Sequence, residues 1–72
     1  MFKVYSKSGC SKCVEVKDYF DKNNIAYNTV DVGVDLEARE VLVKGGFRTV
    51  PQVFTEEGEY FGDCDTTIKK LS

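Results

Sequence analysis

The sequence predicts an α/β domain of order β-α-β-α-β-β-α, in which a four-stranded mixed sheet carries three helices. Three observations lead there. A helical period over Ser11 to Lys22 stands between two alternating, strand-like segments, and that spacing implies a parallel crossover. Two short apolar segments on either side of Thr55-Glu56-Glu57-Gly58 imply an antiparallel hairpin. Finally, chains of 72 residues bury only about 60% of the surface their unfolded form exposes, so residues 1–72 hold one core and one domain.

Each element has its own justification. Phe2-Lys3-Val4-Tyr5 alternates apolar and polar side chains, which suits a short strand with one face in a core. Ser6 to Gly9 reads as a loop. From Ser11 to Lys22 no Gly or Pro interrupts, and Cys13, Val16 and Phe20 mark one helical face, with Asn23-Asn24 as its end. Ala26 to Asp31 is the second strand. Asp35 caps a second helix through Leu36, Arg39, Val41, Leu42 and Val43, where the period is weaker, and Gly45-Gly46 supplies a left-handed stop. Gln52-Val53-Phe54 and Glu59-Tyr60-Phe61 are the hairpin strands, with Gly58 placed for φ > 0. Asp63 or Asp65 caps a last helix in which Cys64, Ile68 and Leu71 share a face. Tyr5, Phe20, Tyr27, Phe54, Tyr60 and Phe61 sit on periodic faces and are expected to fill the core, while Glu56, Glu57 and Glu59 form a solvated turn.

Composition removes several function classes. Hydrophobic residues at 42% and charged residues at 31% describe a water-soluble globule. Ten Lys and Arg against twelve Asp and Glu leave a net charge of −2, so the mean field repels a phosphate backbone and nucleic acid is not an expected partner. Apolar runs are only a few residues long, against the roughly 20 a bilayer requires, and the start Met1-Phe2-Lys3-Val4-Tyr5 has no signal-peptide core. A cytoplasmic protein without a membrane partner is expected. With no histidine and three cysteines, the chain cannot supply four Cys/His ligands to a structural zinc, and no metal site is expected. The same absence removes Cys-His and Ser-His catalysis. An odd cysteine count argues against a stapled secreted scaffold. Thiol chemistry in a reducing compartment remains.

Gly9-Cys10-Ser11-Lys12-Cys13 carries that chemistry. It places two thiols three residues apart where a loop meets a helix N-terminus, so the sulfurs come within bonding distance. Only a thiolate attacks a disulfide, and at Cys10 unpaired helix N–H groups and the macrodipole favour negative charge, helped by Lys7 and Lys12. Cys10 is therefore expected to have a depressed pKa. Cys13, one turn into the helix on its buried face, is expected to act second, attacking the Cys10 mixed disulfide. The competing readings are half of a metal knuckle, which lacks further ligands, and two inert core thiols, which ignores the flanking glycine and lysines.

Thr49-Val50-Pro51 holds the only proline. An X-Pro bond costs only about 0.5–1 kcal/mol in the cis form. A cis bond at Pro51 would turn the Val50 backbone outward to pair with an extended cysteine-containing substrate; the alternative is a Pro51 that merely starts an edge strand. Cys64 shares its helical face with Ile68 and Leu71 and is read as a small buried core residue, against a regulatory or metal-binding role.

On these residues the chain resembles a glutaredoxin, within the thioredoxin fold. The resemblance covers nearly the whole domain 1–72: Val4-Tyr5-Ser6-Lys7, Cys10-Ser11-Lys12-Cys13, Arg48-Thr49-Val50-Pro51-Gln52-Val53-Phe54 and Phe61-Gly62-Asp63-Cys64-Asp65, in order. It implies a thiol–disulfide oxidoreductase with Cys10 as nucleophile and Cys13 as resolving thiol, and no tightly bound cofactor. It also implies glutathione as reductant and co-substrate, held at its cysteine by Val50 in a Thr49-Val50-cis-Pro51 segment. The γ-glutamyl end would lie at Gly62, Cys64 and Asp65, and the glycyl carboxylate at Lys7. A physical complementarity accompanies this: Lys7, Lys12 and Arg48 at one end of a groove, and a helix N-terminus with Asp65 at the other, match the charges of glutathione.

The implied partners are glutathione and a client with a disulfide or a glutathionylated cysteine, ribonucleotide reductase being one by resemblance; the chain is expected to be a monomer. Three positions depart from the family pattern. Ser11-Lys12 replaces the common Pro-Tyr, Asp63 replaces a second glycine, and Thr66 replaces a second carboxylate. The last two motivate a rival in which thioredoxin reductase recharges the disulfide and ribonucleotide reductase receives the electrons. An iron–sulfur carrier bridged by two Cys10 thiolates is a further rival, opposed by Cys13, which competes for Cys10. A non-catalytic adaptor predicts an ordinary Cys10 thiol.

Overall fold

The computed structural model describes all 72 residues. Its elements are β1 (Phe2–Ser6), α1 (Ser11–Lys22), β2 (Tyr27–Asp31), α2 (Leu36–Lys44), β3 (Gln52–Phe54), β4 (Tyr60–Gly62) and α3 (Cys64–Leu71), in the expected order. The sheet runs β2-β1-β3-β4. β1 pairs in parallel with β2 from Phe2↔Tyr27 to Ser6↔Asp31, and antiparallel with β3, which pairs antiparallel with β4. This is the mixed sheet of a thioredoxin-like fold.

The alternation of β1 builds a core on each face of the sheet. Val4 points to one side, where Val16 and Phe20 of α1, Val53 of β3 and Cys64 of α3 close around it. Tyr5 points to the other, against Val32, Ala38 and Leu42, so α2 alone covers that face. Val4, Val16, Phe20 and Val53 are fully buried, and each such side chain contributes about 1.5–3 kcal/mol relative to an exposed one. The apolar face expected for α1 is the one observed: Cys13, Val16 and Phe20 are its buried residues. Asn23 and Asn24 do end the helix. The Asn23 side chain donates to the Tyr19 carbonyl at 2.8 Å, and Asn24 takes φ 55°.

Several expectations need correction. β2 begins at Tyr27 rather than Ala26, whose carbonyl still accepts the Phe2 N–H at 3.2 Å. β4 runs from Tyr60 to Gly62 rather than from Glu59, because Glu59 closes the turn through the Thr55 N–H at 2.8 Å, with Gly58 at φ 91°. Of the two glycines after α2, only Gly46 is left-handed (φ 81°), whereas Gly45 stays at φ −79°. The weak period of α2 has a physical cause. Only Ala38 and Leu42 are buried, while Leu36, Val41 and Val43 face outward. Tyr60 does not fill the core: it is 47% exposed, lies against Phe47 and Phe54, and donates its hydroxyl to Gln52 Oε1 at 2.8 Å. Asp63, not Asp65, caps α3. Thr67, which the apolar pattern passed over, is fully buried there.

Candidate active site

The two thiols meet because a helix cap has a fixed geometry. Gly9, at φ 75°, turns the chain out of β1, and Cys10 then takes an extended conformation (φ −97°, ψ 108°) as the N-cap of α1. An N-cap side chain reaches the backbone N–H of the third helical residue. Here that residue is Cys13, whose N–H donates to Cys10 Sγ at 3.1 Å. Cap geometry and the two-residue spacer are thus the same fact: the spacing that puts Cys13 N–H on the Cys10 sulfur also brings its thiol into range. Cys10 and Cys13 form a disulfide with a Cα–Cα distance of 5.2 Å. Cys13 is 1% exposed and Cys10 is half-buried, which is the asymmetry expected of an attacking and a resolving thiol. The N-terminal end of the helix and this N–H both favour negative charge on Cys10 sulfur.

Facing Cys10 is the segment before β3. The Val50–Pro51 bond is cis and Pro51 is buried. The edge-strand alternative fails, since β3 lies between β1 and β4. The Val50 carbonyl oxygen stands 3.6 Å from Cys10 Sγ, and no backbone hydrogen bond of the chain uses the Val50 N–H. Gln52 steadies the turn: its Nε2 donates to the Thr49 carbonyl at 2.9 Å and to Thr49 Oγ1 at 3.2 Å.

An open groove of about 1000 Å³ runs past Cys10, and Lys7, Lys12, Thr49 and Val50 line it together with Arg48. It also takes Arg39 and Val43 from α2 and Phe47 after it, which sequence reasoning had not assigned to the site. The missed signal was helical spacing. With Ala38 and Leu42 facing inward, Arg39 and Val43 must fall on one flank of α2.

The remaining predicted site residues lie at the start of α3 and do not line this groove. Gly62 is buried in β4, where an added Cβ would come within 2.9 Å of Thr66 Cγ2. Cys64 belongs to the core beside Val4 and Val53, and burial first, then the Glu15 carboxylate, push its thiol up to about 11. Asp65 pairs with Lys12 (Nζ to Oδ1 3.3 Å), and Lys12 also approaches Glu15 at 3.7 Å. The Asp65 hydrogen bond is the main cause that raises the Lys12 pKa. Lys12 therefore lines the groove with Lys7 and Arg48 and also reaches Asp65 through this ion pair. Asp63 caps α3 by accepting the Thr66 N–H at 2.8 Å, which lowers its carboxyl pKa. Glu15, Cys64 and Asp65 bring three donor atoms within 4.8 Å of one another, but Lys12 and the buried Cys64 thiol account for the two carboxylates.

A mixed sheet, an N-cap cysteine and a second thiol one turn on define a thioredoxin-fold thiol–disulfide oxidoreductase. More narrowly, the chain belongs to the glutaredoxin family, whose family model matches residues 2–61. It is 39% identical over 70 residues to N-acetyl-S-hydroxy-L-cysteine reductase of Bacillus subtilis, covering 94% of this chain and 75% of that one. It is 29% identical over 72 residues to the glutaredoxin-like protein NrdH of Lactococcus lactis subsp. cremoris, covering all of both chains. Among solved structures, the buckwheat glutaredoxin–glutathione complex superposes with a TM-score of 0.81 at 32% identity, over 97% of this chain and 66% of that one. No helix is long and apolar enough to cross a membrane.

Proposed function

We propose that the protein reduces protein disulfides or glutathionylated cysteines in the cytoplasm, with Cys10 as nucleophile, Cys13 as resolving thiol and glutathione as electron donor. The observation that carries this reading is the Cys13 N–H on Cys10 Sγ at 3.1 Å, at a helix N-terminus and beside a half-buried sulfur. A Cys10 thiolate attacks one sulfur of the client disulfide; the new S–S bond forms as the other sulfur leaves and takes a proton. Cys13, as thiolate, then attacks Cys10 Sγ and releases the second client thiol. Both electrons have passed to the client, and the Cys10–Cys13 disulfide remains. Two glutathione molecules restore the dithiol and leave as glutathione disulfide.

The unused Val50 N–H and its carbonyl are suited to hold the substrate backbone in strand-like fashion. Lys7 and Arg48 would take a carboxylate, and Thr49 would position Val50. Replacing Cys10 with Ser should abolish disulfide reduction, and full dithiol activity in that variant would overturn the assignment.

A second reading has support of its own at the α3 end. The Asp65 carboxylate is already paired with Lys12, and the Asp63 carboxylate is already the acceptor for the Thr66 N–H, so a γ-glutamyl group would meet two engaged carboxylates at this end. In this reading thioredoxin reductase recharges the Cys10–Cys13 disulfide, with ribonucleotide reductase as a client. The full-length match to the lactococcal relative supports it too. Supplying the oxidised protein in parallel with glutathione plus glutathione reductase, or with thioredoxin reductase, separates the two donors. Absence of turnover with glutathione would eliminate the first.

A further inference from the structure

The groove beside Cys10 is charged against the sign of the whole chain. The chain carries −2 overall, yet Lys7, Lys12, Arg39 and Arg48 line the groove and no carboxylate does. Lys12 is paired, but no ion pair of the protein engages Lys7, Arg39 or Arg48. Folding has therefore left three free cations around one reactive sulfur.

The same side of the molecule has an apolar stripe that nothing covers. With Ala38 and Leu42 turned inward, a period of 3.6 places Leu36, Arg39 and Val43 together on the flank of α2 next to the groove. Leu36 is 71% exposed and Val43 is 65% exposed, with Val34 at 79% just before the helix. Glu37 falls outside this stripe on the helical wheel, and Glu40 borders it on the Leu36 side, about 100° from Arg39. Val43 and Arg39 both belong to the groove wall, so stripe and groove are one surface.

We infer that this surface docks an extended segment of a client protein that has acidic side chains and an aliphatic anchor close to its disulfide. This rests on Cys10 as the attacking thiol. The acidic side chains meet Lys7, Arg39 and Arg48, the aliphatic one lies on Leu36 and Val43, and the backbone pairs with Val50. Such complementarity acts first on encounter, so it selects by rate and weakens with salt.

The test uses the full chain in its reduced form and two synthetic peptides with the same internal disulfide, one flanked by Glu and Leu, the other by Lys and Ser. Bis(2-hydroxyethyl) disulfide measures the intrinsic thiol reactivity of every variant and normalises its peptide rates. The acidic peptide should be reduced about tenfold faster than the basic one at about 50 mM salt, and the ratio should contract several-fold by about 500 mM. Arg39→Glu should remove most of the preference together with its salt dependence. Leu36→Ser should slow the acidic peptide several-fold while leaving the salt slope in place. Equal rates for the two peptides, or a preference that survives Arg39→Glu, would overturn the docking surface and leave the dithiol chemistry standing. Failure to reduce any of the three disulfides would instead refute the dithiol reading, and the docking inference with it.

Discussion

Asp63 offers the most direct test of how the α3 end is built. Its carboxylate accepts the Thr66 N–H at 2.8 Å and is the N-cap of the helix that places Cys64 and Thr67 in the core. Removing an N-cap acceptor costs about 1 kcal/mol, within a range of roughly 0.5–2. In a domain of this size each kcal/mol moves the melting midpoint by about 4–8 °C. Asp63→Ala should therefore melt several degrees below the parent at neutral pH. Asp63→Asn keeps the acceptor and loses only the charge beside the helix dipole, about 0.3–1 kcal/mol, so it should fall between the two. The sign of the pH dependence follows from the lowered carboxyl pKa. A carboxyl whose folded pKa is depressed stabilises the fold fully above its unfolded value of about 3.9, and that contribution fades as pH falls through the folded value. The gap between parent and Asp63→Asn should thus close in acid. Thermal unfolding followed by circular dichroism, at neutral pH and down an acid series, measures all three. If Asp63→Ala and Asp63→Asn melt together, the capping hydrogen bond is not what Asp63 contributes.

Other consequences concern the thiols and the core. Cys13→Ser should stop the reaction at the mixed disulfide, so mass spectrometry should find the client covalently attached to Cys10; accumulation on Cys13→Ser of free, fully reduced client alone would assign resolution to another group. With Cys64 buried and its thiol pushed up to about 11, iodoacetamide at neutral pH should label Cys10 in the reduced native protein and leave Cys64 unmodified until denaturant is added. Thr67 Oγ1 is buried without a hydrogen-bond partner, so Thr67→Val, which removes that hydroxyl at constant shape, should stabilise the fold by about 1 kcal/mol in denaturant titrations. Gly62→Ala should do the reverse, because the added Cβ meets Thr66 Cγ2 at 2.9 Å and the Thr67 backbone nitrogen at 3.3 Å.

The parts of the molecule legible in the sequence are those governed by local rules. Period 2 in β1 and period 3.6 in α1 report burial directly, because Val4, Val16 and Phe20 meet one core. The cysteine spacing reports a helix cap, and cap geometry is local as well. What the sequence concealed depends on side chains brought together from distant elements. Lys12 and Asp65 are 53 residues apart in the chain, and no pattern along it announces their ion pair. Arg39 reaches the groove only because α2 is laid over the sheet face opposite to α1, an arrangement that the weak period of α2 did not reveal. Asp63 and Asp65 were equally good caps by type, and the choice fell to Asp63 once β4 ran on to Gly62.

The two ends of the site differ in what they leave unsatisfied, and this bears on which molecules it selects. At the α2 end, Lys7, Arg39 and Arg48 carry charge with no partner in the chain, so a carboxylate arriving there gains an interaction without displacing one. At the α3 end, Asp65 has Lys12, and Asp63 has the Thr66 N–H, so an incoming ammonium or carboxylate competes with groups already in place. Competition of this kind lowers affinity only by the strength of the contact displaced, and exposed ion pairs are weak. The helix cap is the firmer of the two, because its acceptor is held in the first turn by the backbone itself. In the reading with thioredoxin reductase as donor, discrimination against a ligand with a charged α-amino acid end would therefore rest more on Asp63 than on Lys12. A substrate whose charges all lie on the α2 side meets neither obstacle, which is why the free cations and the occupied cap point toward the same class of client.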